Sequence, residues 1–206
     1  VKYTLFTIIF YGLFTATYGQ NEGGRHGLSD GDIIFQTSLS SQSRAIQLAT
    51  KSTYSHCGII YKKGNDLYVL EAIQPVKMTP LYGWIARGQG KHYVVKRLKN
   101  AKQILTPEVL VKMRQVGKQF EGKSYDITFE WSDDKIYCSE LVWKIYKRST
   151  GIEIGKLQQL RDFDLNNSIV KKKMKERYGS KIPKSERVIS PAAIFNSELL
   201  TTIVSK

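Results

Sequence analysis

The chain has 206 residues, 32 Lys and Arg against 18 Asp and Glu, a formal net charge of +14, and two cysteines. That length suits a single domain, and 41% hydrophobic with 11% aromatic residues excludes intrinsic disorder as the main state. Two cysteines cannot build a disulfide framework, and beyond the N-terminus no apolar run nears the ~20 residues of a membrane span.

Lys2 followed by the apolar run 5–14 has the shape of a secretory signal. Small residues at Thr17 and Gly19 precede polar Gln20-Asn21-Glu22, so residues 1–19 are expected to be removed, leaving 20–206 as one domain. The competing reading is an N-terminal core helix or an uncleaved anchor. The expected location is therefore exported, periplasmic or extracellular. The basic surplus implies attraction to polyanions, which for an exported protein means an anionic envelope surface and not nucleic acid. Its densest stretch is Lys171-Lys172-Lys173-Met174-Lys175-Glu176-Arg177, whose simplest reading is a solvated helical face.

Along the chain, Gly31-Asp32-Ile33-Ile34-Phe35 reads as a buried strand and 40–51 as a helix with Ala45, Ile46, Leu48 and Ala49 on its apolar face. Strands over 55–61 and 67–73 flank the turn residues Lys62-Lys63-Gly64-Asn65-Asp66, which predicts a hairpin. A further strand is expected over 92–98. Thr106-Pro107-Glu108 is a helix start that leads into Val109, Leu110, Met113, Val116 and Phe120 at helical spacing. A second helix should begin near Tyr137-Cys138 and stop at Gly151. Residues 156–190 are polar and resist assignment, and a last apolar stretch ends near Leu200. Strands and helices mix without βαβ alternation, which argues an α+β fold.

Two polar side chains interrupt the predicted hairpin: His56 in one apolar strand and Glu71 in the other. Alternation puts His56, Gly58 and Ile60 on one face and Cys57, Ile59 and Tyr61 on the other. An odd-summed register about the turn brings Glu71 opposite or diagonal to His56, within reach of its imidazole. Cys138 falls where a loop becomes a helix. Unpaired N–H groups and the positive end of the helix dipole favour a thiolate there, and a cysteine nucleophile needs a histidine base. The bland alternatives are a satisfied core histidine and a cysteine acting as a small hydrophobe. Cys57, turned away from His56, reads as buried filler, with a Cys57–Cys138 disulfide as the other option for an exported chain. His26 and His92 read as incidental. Two Cys and three scattered His give no zinc spacing, so no metal is expected.

The segments Gly31-Asp32-Ile33-Ile34-Phe35, Tyr54-Ser55-His56-Cys57-Gly58-Ile59-Ile60 and Tyr137-Cys138-Ser139-Glu140-Leu141-Val142 resemble NlpC-type papain-like cysteine hydrolases. The order of His before Cys, with Tyr125-Asp126 ahead of Cys138, resembles their circularly permuted, YiiX-like branch over about residues 28–200. Cys57 departs from the pattern, where an aliphatic such as Val is expected. The resemblance implies a small antiparallel near-barrel sheet packed against helices. It implies Cys138 as nucleophile with its own N–H as an oxyanion donor, His56 as base and then acid, and Glu71 as the group that orients it. Tyr54 and Tyr125 are then candidates to line the substrate cleft, and no cofactor is needed.

The expected reaction is acyl transfer through a cysteine acyl-enzyme. The substrate is a wall-type peptide or related amide, or alternatively an acyl lipid for a hydrolase or acyltransferase. The third reading is a non-catalytic exported binding protein with a vestigial cleft. The expected partners are thus a peptide, amide or acyl-lipid substrate and an anionic surface, and the chain is expected to be monomeric.

Overall fold

The computed structural model describes residues 27–206; the expected signal 1–19 and His26 lie outside the described residues. A six-stranded sheet carries the molecule, built from β1 (Ile33–Gln36), β2 (His56–Lys63), β3 (Asp66–Glu71), β4 (Lys77–Pro80), β5 (Val94–Leu98) and β10 (Leu200–Ser205). Its order is β10-β5-β1-β2-β3-β4, antiparallel at every step. The order is linear, so β10 and β4 are edges and the sheet does not close into a barrel. Two small ladders complete the strands: β6 (Ser124–Tyr125) with β7 (Lys135–Ile136), and β8 (Gln158–Gln159) with β9 (Arg187–Val188).

The period-2 pattern sorts the sheet's side chains into two cores. Ile33, Phe35, Cys57, Ile59, Tyr61 and Leu70 face α4 (Pro107–Lys118) and α5 (Cys138–Thr150), which contribute Met113, Val116, Leu141, Val142 and Ile145. Ile34, Ile60, Val69 and Val95 face the other way, onto Leu81 and Trp84 of α2 (Leu81–Ala86). A third, smaller core joins Leu160 to Val170 and Met174 of α6 (Ser168–Tyr178), against Leu48 and Ala49 of α1 (Ser43–Thr50). The short helices α3 (Ala101–Ile104) and α7 (Pro191–Phe195) fill connections.

The helix signals act as the chemistry predicts. Thr106 Oγ1 accepts the Val109 N–H at 3.4 Å, and Pro107 takes the first position of α4. Gly151 ends α5 at φ 78°, a left-handed conformation that glycine adopts without a side-chain clash. The unassigned region 156–190 holds β8, β9 and α6, and the final apolar stretch divides into α7 and the edge strand β10. The architecture is α+β, an antiparallel sheet packed against helices.

Candidate active site

The turn of the β2–β3 hairpin sets everything that follows. Lys63 pairs with Asp66 and Ile59 with Leu70, so continuing the register puts Glu71 opposite Gly58 and diagonal to His56. The missing side chain at 58 gives the facing strand its room. A Cβ there would lie 2.5 Å from Val69 Cγ1, 2.7 Å from the Leu70 carbonyl oxygen and 3.5 Å from Glu71 Cβ. Glu71 Oε2 meets His56 Nε2 at 2.7 Å, while Oε1 accepts from Thr79 Oγ1 at 2.6 Å and from Arg87 Nη2. The carboxylate is fully enclosed, yet its oxygens are served by three donors. Satisfied in this way, a buried carboxylate holds its charge. Burial alone would raise the Glu71 pKa, but hydrogen bonds and charge from His56, then Thr79 and Arg87, bring it below the usual value. Trp84 stacks on the imidazole with ring centroids 5.8 Å apart, fixing its plane.

With Nε2 held by Glu71, Nδ1 is the ring nitrogen left for Cys138, whose thiolate raises the His56 pKa. Cys138 is the first residue of α5, a helix with no side-chain N-cap, and the first turn of a helix has N–H groups without intrahelical partners. The turn is pinned from outside: Ser139 Oγ donates to the Ile189 carbonyl at 2.7 Å, and Tyr137 Oη accepts the Ile189 N–H at 3.1 Å. Hydrogen bonding by the Cys57 thiol, opposed by burial and aided by His56, holds the Cys138 thiol well below its ordinary value. Burial lowers the His56 pKa, but bonds and charge from Cys138 and Glu71 more than reverse that and raise it to about 9. Both shifts favour thiolate and imidazolium over the neutral pair.

Cys57 is buried in the core, as expected. It does turn away from His56, but the face it takes is the one on which the N-terminus of α5 docks. Both cysteines belong to the core on that face; burial pushes the Cys57 thiol well above its usual pKa, and its hydrogen bonding favours the Cys138 thiolate. Both cysteines are free thiols.

Cys138 opens on a cleft of about 690 Å³, its open mouth included, between α1, α6 and the segment 188–191. Most of its wall is apolar: Ala45, Ile46, Ala49, Leu160, Phe163, Leu165, Val170 and Met174. Tyr125 lines it, its Oη accepting from Gln42 Nε2 at 2.8 Å. Tyr54 does not line it. That ring stacks on Phe195 at 4.2 Å and meets Phe35 edge-on at 6.1 Å, supporting the sheet beside His56. The basic stretch 171–177 is only partly a solvated face: Lys171, Lys172 and Lys175 are exposed, whereas Lys173, Met174 and Arg177 line the cleft. Sequence reasoning missed Thr79, Arg87, Trp84, Gln42 and Arg177. Each reaches the site through contacts across the fold, with no local pattern to announce it.

Residues 27–204 match the family model of the permuted papain-like amidase enzymes, YaeF/YiiX, C92 family. The uncharacterized protein YiiX of Escherichia coli strain K12 is 49% identical over 176 residues, covering 85% of this chain and 86% of that protein. A crystal structure of metalloprotein YiiX from Escherichia coli O157:H7 superposes with a TM-score of 0.83 at 49% identity, covering 86% of this chain and 97% of that one.

Proposed function

Because the chain belongs to the permuted papain-like amidases of the YaeF/YiiX, C92 family, we propose that it cleaves amides through Cys138, and that the acyl side of its substrate is an apolar chain. The observation that carries the reaction is the run Cys138–His56–Glu71, with both outer groups charged and the imidazole held between them. The thiolate adds to the carbonyl carbon, and the Cys138 N–H at the start of α5 donates to the resulting oxyanion. His56 gives its proton to the departing amine nitrogen as the C–N bond breaks, leaving a thioester on Cys138. It then takes a proton from water, which attacks the thioester and restores the thiolate.

The cleft decides between substrates. A wall-type peptide carries an amide donor and acceptor at every residue, and an apolar wall cannot satisfy them. An acyl chain loses nothing there and gains about 0.8 kcal/mol for each CH₂ buried. The acyl-chain reading is therefore preferred to the wall-peptide reading. The test is mass spectrometry of Cys138 after brief exposure to long-chain N-acyl amides or to wall muropeptides. Acyl-thioester mass with the first and none with the second is expected; the reverse would return the substrate to wall peptides.

The solved relative is described as a metalloprotein. Among the described residues of this chain, no group of three or more His, Cys, Asp or Glu side chains is arranged to hold a metal ion, and the nearby His56 has its Nε2 already engaged by Glu71. This donor set does not fit a resident metal, and no step is routed through one. Export is part of the proposal and rests on the residue pattern of 1–19; N-terminal sequencing of the protein from its native cell tests it, with a start at Gln20 expected and an intact Lys2 contradicting it.

A further inference from the structure

Arg177 sits in the last turn of α6, on the cleft side with Val170 and Met174. Its guanidinium lies 4.7 Å from the Phe129 ring centroid, and its Nη2 donates to Gln42 Oε1. A guanidinium offers five N–H donors, and Gln42 takes one. Arg87, Arg97, Arg114 and Arg148 each pair with a carboxylate. Arg177 is half-buried and has no such ion pair among the described residues. Lys173, the other cation of the cleft, is already matched to Glu176 at 2.5 Å. Burial opposes the Arg177 charge, and Asp126 and Glu176 act on it only through longer-range attraction. A cation with spare donors in an apolar cleft is costly unless an anion completes it.

Its position tells where that anion belongs. Gln42 bonds both Arg177 and the Tyr125 hydroxyl, and Tyr125 stands close enough to Cys138 for the thiolate to raise its pKa. Two hydrogen-bond steps separate Arg177 from the side chain next to the nucleophile. We propose that Arg177 binds an anionic group of the substrate, a carboxylate or phosphate near the scissile bond. The substrate is then an amphiphile with an apolar acyl arm along α1 and α6 and an anionic group at Arg177. This rests on the hydrolase reading above for which bond is cleaved, but its test does not depend on turnover.

The experiment is calorimetric binding to the Cys138→Ala protein of N-dodecanoylglycine, its neutral carboxamide, and dodecanoyl-glycerol phosphate. The carboxylate or the phosphate ligand should bind about 10-fold tighter than the carboxamide, the effect of one charge-assisted contact, and the tighter of the two identifies the natural anion. Adding Arg177→Gln should abolish the preference while leaving carboxamide binding unchanged. Arg177→Lys should keep part of it, and Lys173→Ala should keep it all. Equal binding of charged and neutral ligands, a preference that survives Arg177→Gln, or no binding by any ligand overturns the inference. So does the pattern expected if Arg177 only balances Asp126, namely a lower Tm in Arg177→Gln with ligand preference unchanged. Alkylation of Cys138 in the wild-type chain separates the two readings. A reactive Cys138 with no charge preference removes this inference alone, and selective binding beside an unreactive Cys138 removes the hydrolase reading alone.

Discussion

Two fully buried carboxylates, Asp32 and Glu71, stand at the sheet, each bonded to an arginine, and they do different things. Asp32, just before β1, accepts Arg97 Nε at 2.6 Å and Nη2 at 2.7 Å, and its Oδ2 also accepts the Ser29 N–H at 2.8 Å. All its partners are structural: it ties the start of β1 to β5 and to the preceding loop. Glu71 gives one oxygen to Thr79 and Arg87 and reserves the other for His56. A buried acid paired with arginine is thus no mark of a site. The mark is a lone pair directed at a group that can itself ionise beside a nucleophile.

Substitutions should pull the two apart. The largest effect is on the nucleophile and its base: Cys138→Ala or His56→Ala should lower kcat on an acyl amide by roughly 10⁴-fold per folded molecule. Glu71→Gln keeps the shape but no longer favours imidazolium, and kcat should fall by roughly 10²-fold; a drop in Tm with kcat preserved would make Glu71 the equivalent of Asp32. Asp32→Asn should do the opposite. Urea unfolding is expected to show a loss of about 3 kcal/mol, the size seen when a buried pair loses one partner, with an unaltered rate per folded molecule.

Smaller effects refine the site. Cys57→Val removes the S–H donor to Cys138, so the onset of Cys138 alkylation should move to higher pH while the backbone geometry of β2 holds; an unmoved onset would return Cys57 to filler. The pH dependence of stability carries a sign of its own. His56, raised from 6.5 to about 9, contributes stability that is complete below pH 6.5 and lost as pH rises through about 9. Cys138, lowered from 9.0, contributes stability that is complete above pH 9 and lost as pH falls through its depressed value. Between pH 6.5 and 9 the two offset each other. Stability attributable to the pair should be flat there, whereas in Cys138→Ala the remaining His56 should no longer show the rise to about 9 in an NMR titration.

Much of this was legible because it is local. The hairpin register follows from a turn at Gly64-Asn65, and one odd sum places Glu71 diagonal to His56. The start of α5 follows from the change of pattern at Cys138. Alternation correctly separated Cys57 from His56, but it names a strand's two faces and not the helix that will cover each. The α5 terminus sits at the beginning of β2, where side chains of both faces reach it, so His56 and Cys57 both meet Cys138. The 171–177 stretch misled for a related reason. Charges dominate its composition, while Val170, Met174 and Arg177 at helical spacing form the face that closes the cleft. Gln42 and Arg177 meet across 135 residues, a contact no local periodicity encodes. The resemblance implied Tyr54 as a cleft residue, but two residues before β2 its ring turns into the Phe35–Phe195 cluster.

The central claim is that His56 holds Cys138 as a thiolate, and the rate of Cys138 alkylation against pH, read by mass spectrometry in wild-type protein and in His56→Ala, tests it most directly. An unperturbed thiol has a pKa of about 8.5 and labels slowly at pH 6. Fast labelling of Cys138 at pH 6 in the wild type, slowed at least 10-fold in His56→Ala, is the result predicted. Slow labelling in both proteins, or recovery of Cys138 joined to Cys57, would contradict it.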